Sequence, residues 1–382
     1  MLPKAVPYLA LVFSIGFGWF ILAPLVGVIA SEFGVPVTSA LLIISAYGYT
    51  MAVLGLLAGY ISARFTVREV LYTSAVLTFV GLLGRDPSPD FPSFLAFSLI
   101  AATAYPFAVA PVGSIAEAFF SSRPATFVGL SVGVLFLGMS IGSFLGPSIY
   151  GSLGLRGALL VPAVLSALSL ALVVLGVKGY PERYKRSLRG AFKLGMLKNW
   201  YIGLAIASVT VTLSSIGSVV MELHGLGQSV AISLGGLFGG LSLLGSALGA
   251  MTLPAVFEGQ RQRLGLIIGG VLTAASAVLA VFGLVLTANV GLIALGYFLF
   301  GFFGNAYWSM ALASTVNYVE NPGEAGFATS MYSVVSNVGV AIIPVLLGGM
   351  FSNASTLTEA GAIAVALEVI AGALSVTLKV KR

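Results

Sequence analysis

Lys178-Gly-Tyr-Pro-Glu-Arg-Tyr-Lys-Arg-Ser-Leu-Arg-Gly-Ala-Phe-Lys-Leu-Gly-Met-Leu-Lys198 decides the fold. It carries seven basic residues in a chain of which 58% is hydrophobic and only 8% charged. A soluble domain has about 25% charged residues, so this chain cannot cover its surface with polar groups. Most of that surface must meet lipid. Outward from the basic segment, the sequence breaks into long stretches free of Lys, Arg, Asp and Glu. Before it lie Ala5–Ser31, Phe33–Ala63, Val70–Gly84, Phe91–Ala116, Pro124–Leu155 and Gly157–Val177. After it come Asn199–Met221, Leu223–Phe257, Leu264–Val319, Ala325–Thr358 and Ala360–Leu378, the last holding Glu368. A bilayer-spanning helix needs about 20 apolar residues. The Leu264–Val319 stretch therefore holds two spans, divided at Thr287-Ala288-Asn289. The first stretch exceeds the h-region of a signal peptide, about 7–15 residues, and is expected to remain as a span. The third is short and needs Arg68 and Glu69 to reach the headgroups from its end.

The expectation is an all-α membrane protein of about twelve transmembrane helices in two pseudo-symmetric six-helix bundles. Residues 1–177 form the first bundle, 178–198 a basic linker, and 199–382 the second bundle. Of the Lys and Arg residues, sixteen fall on the linker side and two, Arg85 and Arg156, on the other. The positive-inside rule then places both termini and the linker in the cytoplasm of a cell-membrane protein. The net charge of +6 is a topology signal that also touches anionic lipid, and implies no nucleic acid. With no cysteine, one histidine and two aspartates, the chain offers no disulfide, metal cluster or catalytic triad. No enzyme activity, cofactor or metal is expected.

The halves also repeat. A shift of 197 residues lays Gly129 on Gly326, Gly142 on Gly339, Pro147 on Pro344 and Gly151 on Gly348. Two further patterns are more specific. Between spans 2 and 3 stands Gly59-Tyr-Ile-Ser-Ala63-Arg64-Phe-Thr66-Val67-Arg68. The fifth span reads Gly133, eight residues, Gly142, three residues, Gly146-Pro147, two residues, Tyr150-Gly151.

In these two places, and in its whole-chain topology, the sequence resembles the major facilitator superfamily. The loop keeps Gly59, Arg64 and Arg68 of that family's pattern, with Ala63 where its Asp stands. The resemblance implies a gate latch, with Glu69 or Glu117 contributing in place of the missing Asp and Glu117 pairing with Arg123, Arg64 or Arg68. The fifth-span pattern resembles the family's antiporter motif and departs from it at Tyr150. Small residues there permit close approach. Gly142 and Gly146 are expected to close against Gly235/Gly239 or Gly236/Gly240 of the eighth span. The resemblance further implies that spans 1, 4, 7 and 10 line a central cavity. Their midpoints hold Trp19; Tyr105 and Pro106; Thr210 and Thr212; Asn305, Tyr307 and Trp308. Tyr49 and Asn337 join from spans 2 and 11. These groups combine an apolar face with a polar tip or an amide, and no basic residue accompanies them.

The function expected is secondary active transport by alternating access: export of small neutral or lipophilic compounds by antiport. An importer of a neutral or singly charged metabolite is the alternative. A non-transporting receptor or scaffold is the alternative class. Glu368, midway along the last span, is either a structural hydrogen-bonding group or a proton site coupling transport to protons. The protein is expected to work as a monomer with small-molecule substrate and lipid as its partners.

Overall fold

A computed structural model describes residues 2–120, 124–180, 194–257, 259–318 and 322–380. At 2–3, 59–60, 62–64, 113, 117, 124–126, 259, 316 and 322–330 it describes the backbone alone. Helices account for nearly all of these residues. The first helix, α1, runs Leu2–Phe20, tightens into a single turn at Ala23–Leu25 and resumes at Val26–Glu32. Pro24 supplies no N–H to the ladder there, which breaks the helix. Next come α2, Val37–Ala40 and Leu42–Arg64, and α3, Val67–Gly84. The latter opens with a capping box in which Thr66 and Glu69 satisfy each other's backbone N–H groups. Then α4 spans Phe91–Val109 from an Asp90 cap and continues as Val112–Phe119.

One stretch of 53 residues, Pro124–Gly176, is two helices. Gly154, at φ 67° and ψ −171°, turns the chain back between α5 (124–153) and α6 (155–176). Only glycine adopts that conformation cheaply. The second half holds α7 (Leu197–Leu223), α8 (Gln228–Val256), α9 (Gln262–Phe282), α10 (Val290–Ser314), α11 (Pro322–Phe351) and α12 (Leu357–Leu374). The break between α9 and α10 falls where the sequence places it. Ala288 is left-handed at φ 50°, and the Asn289 side chain accepts from Leu292 N at 3.0 Å to start α10. Ten stretches among the described residues are long and apolar enough to cross a bilayer. Dividing the 53-residue one and adding the shorter apolar helix Leu42–Ala58 gives twelve.

The helix pairings repeat with a step of six. Within the first bundle α1 packs on α5, α2 and α3 on α4, and α3 on α6. Within the second, α7 packs on α11, α8 and α9 on α10, and α9 on α12. Between bundles, α2 meets α11 and α5 meets α8, and these two seams also exchange under the same step. The whole is therefore pseudo-two-fold. Both seams are tight on the side away from the linker, the far side. A Cβ on Gly48 would lie 2.5 Å from Ala341 N, and one on Gly349 would lie 2.6 Å from Thr38. Ser140 Oγ donates to Gly240 O at 2.8 Å and Ser143 Oγ to Gly236 O at 3.3 Å.

The glycines of α5 correct one expectation. Gly142 and Gly146 face α1, not α8. A Cβ on Gly142 would sit 2.7 Å from Phe17 O, and Gly146 abuts Ile21 and Pro24. What α8 meets is the adjacent row of α5. Gly236 lies against Ser143 and Pro147, Gly240 against Phe144, and Gly239 between Ser143 and Ser214 of α7, while Gly235 faces Ser218 of α7. Near the linker side Gly133 does face α8, at Met251, and nothing lies within 4 Å of a Cβ on Gly151. Successive helical residues point about 100° apart, so the Gly138–Gly142–Gly146 row and the Ser140–Ser143–Pro147 row address different neighbours.

Candidate substrate-binding cavity

Between the bundles lies a cavity of about 240 Å³. It extends from mid-depth into the linker-side halves of the helices, past Tyr8 and Val12 of α1, Val109 of α4 and Leu312 of α10. Its far side is shut by the two seams. Six of the nine expected substrate contacts line it: Trp19, Tyr105, Thr210, Asn305, Trp308 and Asn337. Pro106 lines it as well. Among the described residues of the lining, none is charged.

Three expected contacts lie elsewhere. Tyr49 is 39% exposed on the outside of α2. Thr212 is buried away from the cavity and donates to Ser208 O at 2.7 Å. Tyr307 turns its hydroxyl to Ala371 O of α12 at 2.8 Å. The cause is helical phase. Asn305 and Trp308, three apart, share a face of α10, and Tyr307 between them points behind it. Depth alone selects a level and leaves the face open.

The two walls differ. The α1–α4–α5 wall is built of rings and aliphatic groups: Tyr8, Trp19, Tyr105 and Phe136, with Ser131 as its one aliphatic hydroxyl. Trp19 is locked in place. Its Nε1 donates to Ile44 O at 2.9 Å and its ring stacks on Tyr47 at 4.4 Å and 9°. The α7–α10–α11 wall carries Thr210, Asn305, Ser333, Ser336 and Asn337 around Trp308. Tyr105 reaches across to Asn337. Tyr8, Ser131 and Phe136 were not anticipated. The spacing of Ser131 with Leu135, and of Val128 with Val132 and Phe136, marks a four-residue stripe that would have shown the two on α5.

Among the described residues, two charge-bearing side chains, Arg85 and Glu368, are buried in the bundles. Arg85, placed by the sequence in a far-side loop, is only 2% exposed. Its Nε donates to Ser98 Oγ and its Nη1 to Gly18 O, both at 3.0 Å, and its head lies against Tyr47. Gly18 is in the last turn of the Leu2–Phe20 segment, whose carbonyls lack helical partners, so a cation settles there. Glu368, fully buried in α12, has no partner for either carboxylate oxygen among the described residues. Outside the bundles, the Asp86 and Arg156 side chains pair at 3.3 Å on the far side. Of the latch residues, Arg68 lies over the Tyr72 ring at 5.7 Å. Arg123 lies outside the described residues, and of Gly59, Arg64 and Glu117 only the backbone is described.

Two bundles related by a two-fold, meeting at seams that flank an uncharged cavity, define a secondary-transporter fold. The sequence profile of the Major Facilitator Superfamily matches residues 8–253, and the chain belongs to that superfamily, a family of transporters and not of enzymes. Among solved structures the chain is similar to the nucleoside transporter NupG. The TM-score is 0.74 at 12% identity, covering 98% of this chain and 99% of that one. A bacterial homologue of the human lysosomal transporter Spinster, in an inward-facing and occupied conformation, gives 0.69 at 15% identity over 96% and 94%. The human organic anion transporter TETRAN gives 0.68 at 16% over 97% and 98%. No curated protein sequence matches the chain.

Proposed function

We propose that this protein exports small neutral or lipophilic compounds by antiport, alternating access to the cavity between its bundles. The observation that carries this reading is the cavity itself. It is rich in rings, lined by no charge among the described residues, and closed on one side by the two seams. A multiply charged substrate would meet no counter-charge on these walls. In this reading the linker side is cytoplasmic, the membrane is the cell membrane and the working unit is the monomer. The bundles of residues 1–177 and 199–382 move against each other about the linker.

Protons are the proposed exchange partner, and Glu368 the group that carries them. An ionised carboxylate without a partner at that depth is costly, and Glu368 has none among the described residues. Purified protein in liposomes, given a panel of labelled neutral solutes with and without a pH gradient, tests the reading. Gradient-driven accumulation of one or more is expected. Under the coupling proposal Glu368→Gln keeps substrate exchange and loses accumulation; a variant that still accumulates with normal pH dependence assigns the proton elsewhere. Orientation has its own test. Cysteines at Asp90 and Glu222 are expected to react with impermeant reagents on intact cells, and one at Lys185 is not; the reverse pattern would invert the topology.

A further inference from the structure

The polar groups of the cavity are unevenly spent. Trp19 Nε1 is taken by Ile44 O, and Trp308 Nε1 by Ser336 Oγ at 3.2 Å. The Ser131 and Ser336 hydroxyls each give their one hydrogen to the backbone, to Phe127 O and Tyr332 O at 2.8 Å. These donors are consumed inside the protein, whereas the Thr210 hydroxyl, buried in the same wall, has no partner among the described residues. The orientation of Asn305 follows from the same reasoning. Ser246 Oγ gives its hydrogen to Ser242 O at 2.9 Å, so toward Asn305 it can only accept. The Asn305 group at 2.7 Å from it must then be Nδ2. Amide orientations are assigned by such networks. Asn305 Oδ1 is left without a bond among the described residues, on a side chain that lines the cavity.

We infer that the cavity recognises uncharged ring compounds bearing an O–H or N–H group, which the ring wall stacks and Asn305 Oδ1 accepts from. This rests on the cavity being the substrate site. An anion finds an acceptor oxygen and no cation on these walls. An ammonium would suit the oxygen, but the Arg85 guanidinium sits behind the Tyr47–Trp19 stack with no acidic partner within 4.0 Å among the described residues, and its charge disfavours a second cation.

Three probes that share one ring system test this: 2-naphthol, 2-methoxynaphthalene and 2-naphthoate, titrated calorimetrically into the full chain in lipid nanodiscs. One net hydrogen bond predicts that 2-naphthol binds roughly tenfold tighter than its methyl ether. No binding of 2-naphthoate is expected. Asn305→Leu removes the acceptor at similar volume and brings the two neutral probes to within about twofold of each other. Ser246→Ala, outside the cavity, frees the amide to turn and narrows the same ratio, so the inference stays testable if the leucine variant does not fold. Equal binding of the two neutral probes to the native protein, a ratio unchanged in a folded variant, tight binding of 2-naphthoate, or no binding at all would overturn it. The transport reading fails separately: if the naphthol preference holds but liposomes accumulate no solute of the panel, the binding site stands and the exporter does not.

Discussion

Two rows of close contacts on α5 do different jobs. Gly138, Gly142 and Gly146 seat α5 on α1 within one bundle, where the helices have no reason to part. Ser140, Ser143 and Pro147, on the adjoining face, seat it on the glycines of α8 across the seam between bundles. The first brings backbone to backbone and the second sets Ser and Pro side chains on glycines, both close approaches of the kind small residues permit. Under the proposed alternating access the first is a fixed joint, and the second is one that must break. A glycine spacing therefore announces a close approach without saying whether it is permanent.

The sharpest way to break this distinction is Gly142→Leu. Its Cβ would lie 2.7 Å from Phe17 O, a backbone atom that cannot step aside. The expected cost is at or beyond the upper end of the ~1–3 kcal/mol typical of overpacking. Thermal unfolding in detergent should show a large drop, with transport lost along with the fold. A stable, well-folded Gly142→Leu protein would mean that the α1–α5 joint is not fixed. Gly236→Leu should act differently. The clash, 2.7 Å from Ser143 O, falls on the seam. The bundle should stay folded while the far-side-closed state loses ~1–3 kcal/mol, a shift of roughly 5- to 150-fold in the conformational equilibrium. The chain has no cysteine, so a single Cys at Thr38 or Leu41 on the other seam reports opening directly. Its labelling rate should rise in Gly236→Leu; an unchanged rate with reduced thermal stability would place α8 in a fixed joint too. The smallest effect is expected from Ser140→Ala. It removes one hydrogen bond across the seam, worth about 0.5–1.5 kcal/mol. Labelling at Thr38→Cys should rise modestly, with an unfolding midpoint close to the parent's. A change in stability without a change in labelling would assign the bond to the fold and not to the gate.

Span number and the ends of several helices were legible in the sequence because they depend on local terms. Thr287-Ala288-Asn289 broke a long apolar run at the point where Asn289 caps α10. The cavity was legible in part. Trp19, Tyr105, Thr210, Asn305, Trp308 and Asn337 share its depth, and depth follows from counting along a span. Tyr49, Thr212 and Tyr307 share that depth too and face elsewhere. On a helix with polar and apolar residues all round, nothing local marks the face. The burial of Arg85 was hidden for a related reason. Its position one residue past α3 suggests a loop, but its long side chain reaches back to carbonyls that the break in α1 leaves open.

By itself the sequence determined the solvent the protein folds in, the number of spans and the repeat of the halves. Each of these rests on composition or on periodicity along the chain, which the bilayer's thickness converts into helices. The tertiary structure decided which faces of those helices meet. It set Gly142 against α1 and Gly236 against α5, left Asn305 Oδ1 open to the cavity, and gave Arg85 partners while giving Glu368 none among the described residues. In a membrane the apolar drive that sorts faces in water is weak, because lipid is as apolar as a neighbouring helix. Helix rotation is then settled by close packing and by the few polar groups that must find partners. Those are properties of pairs of helices, and no single helix's sequence contains them.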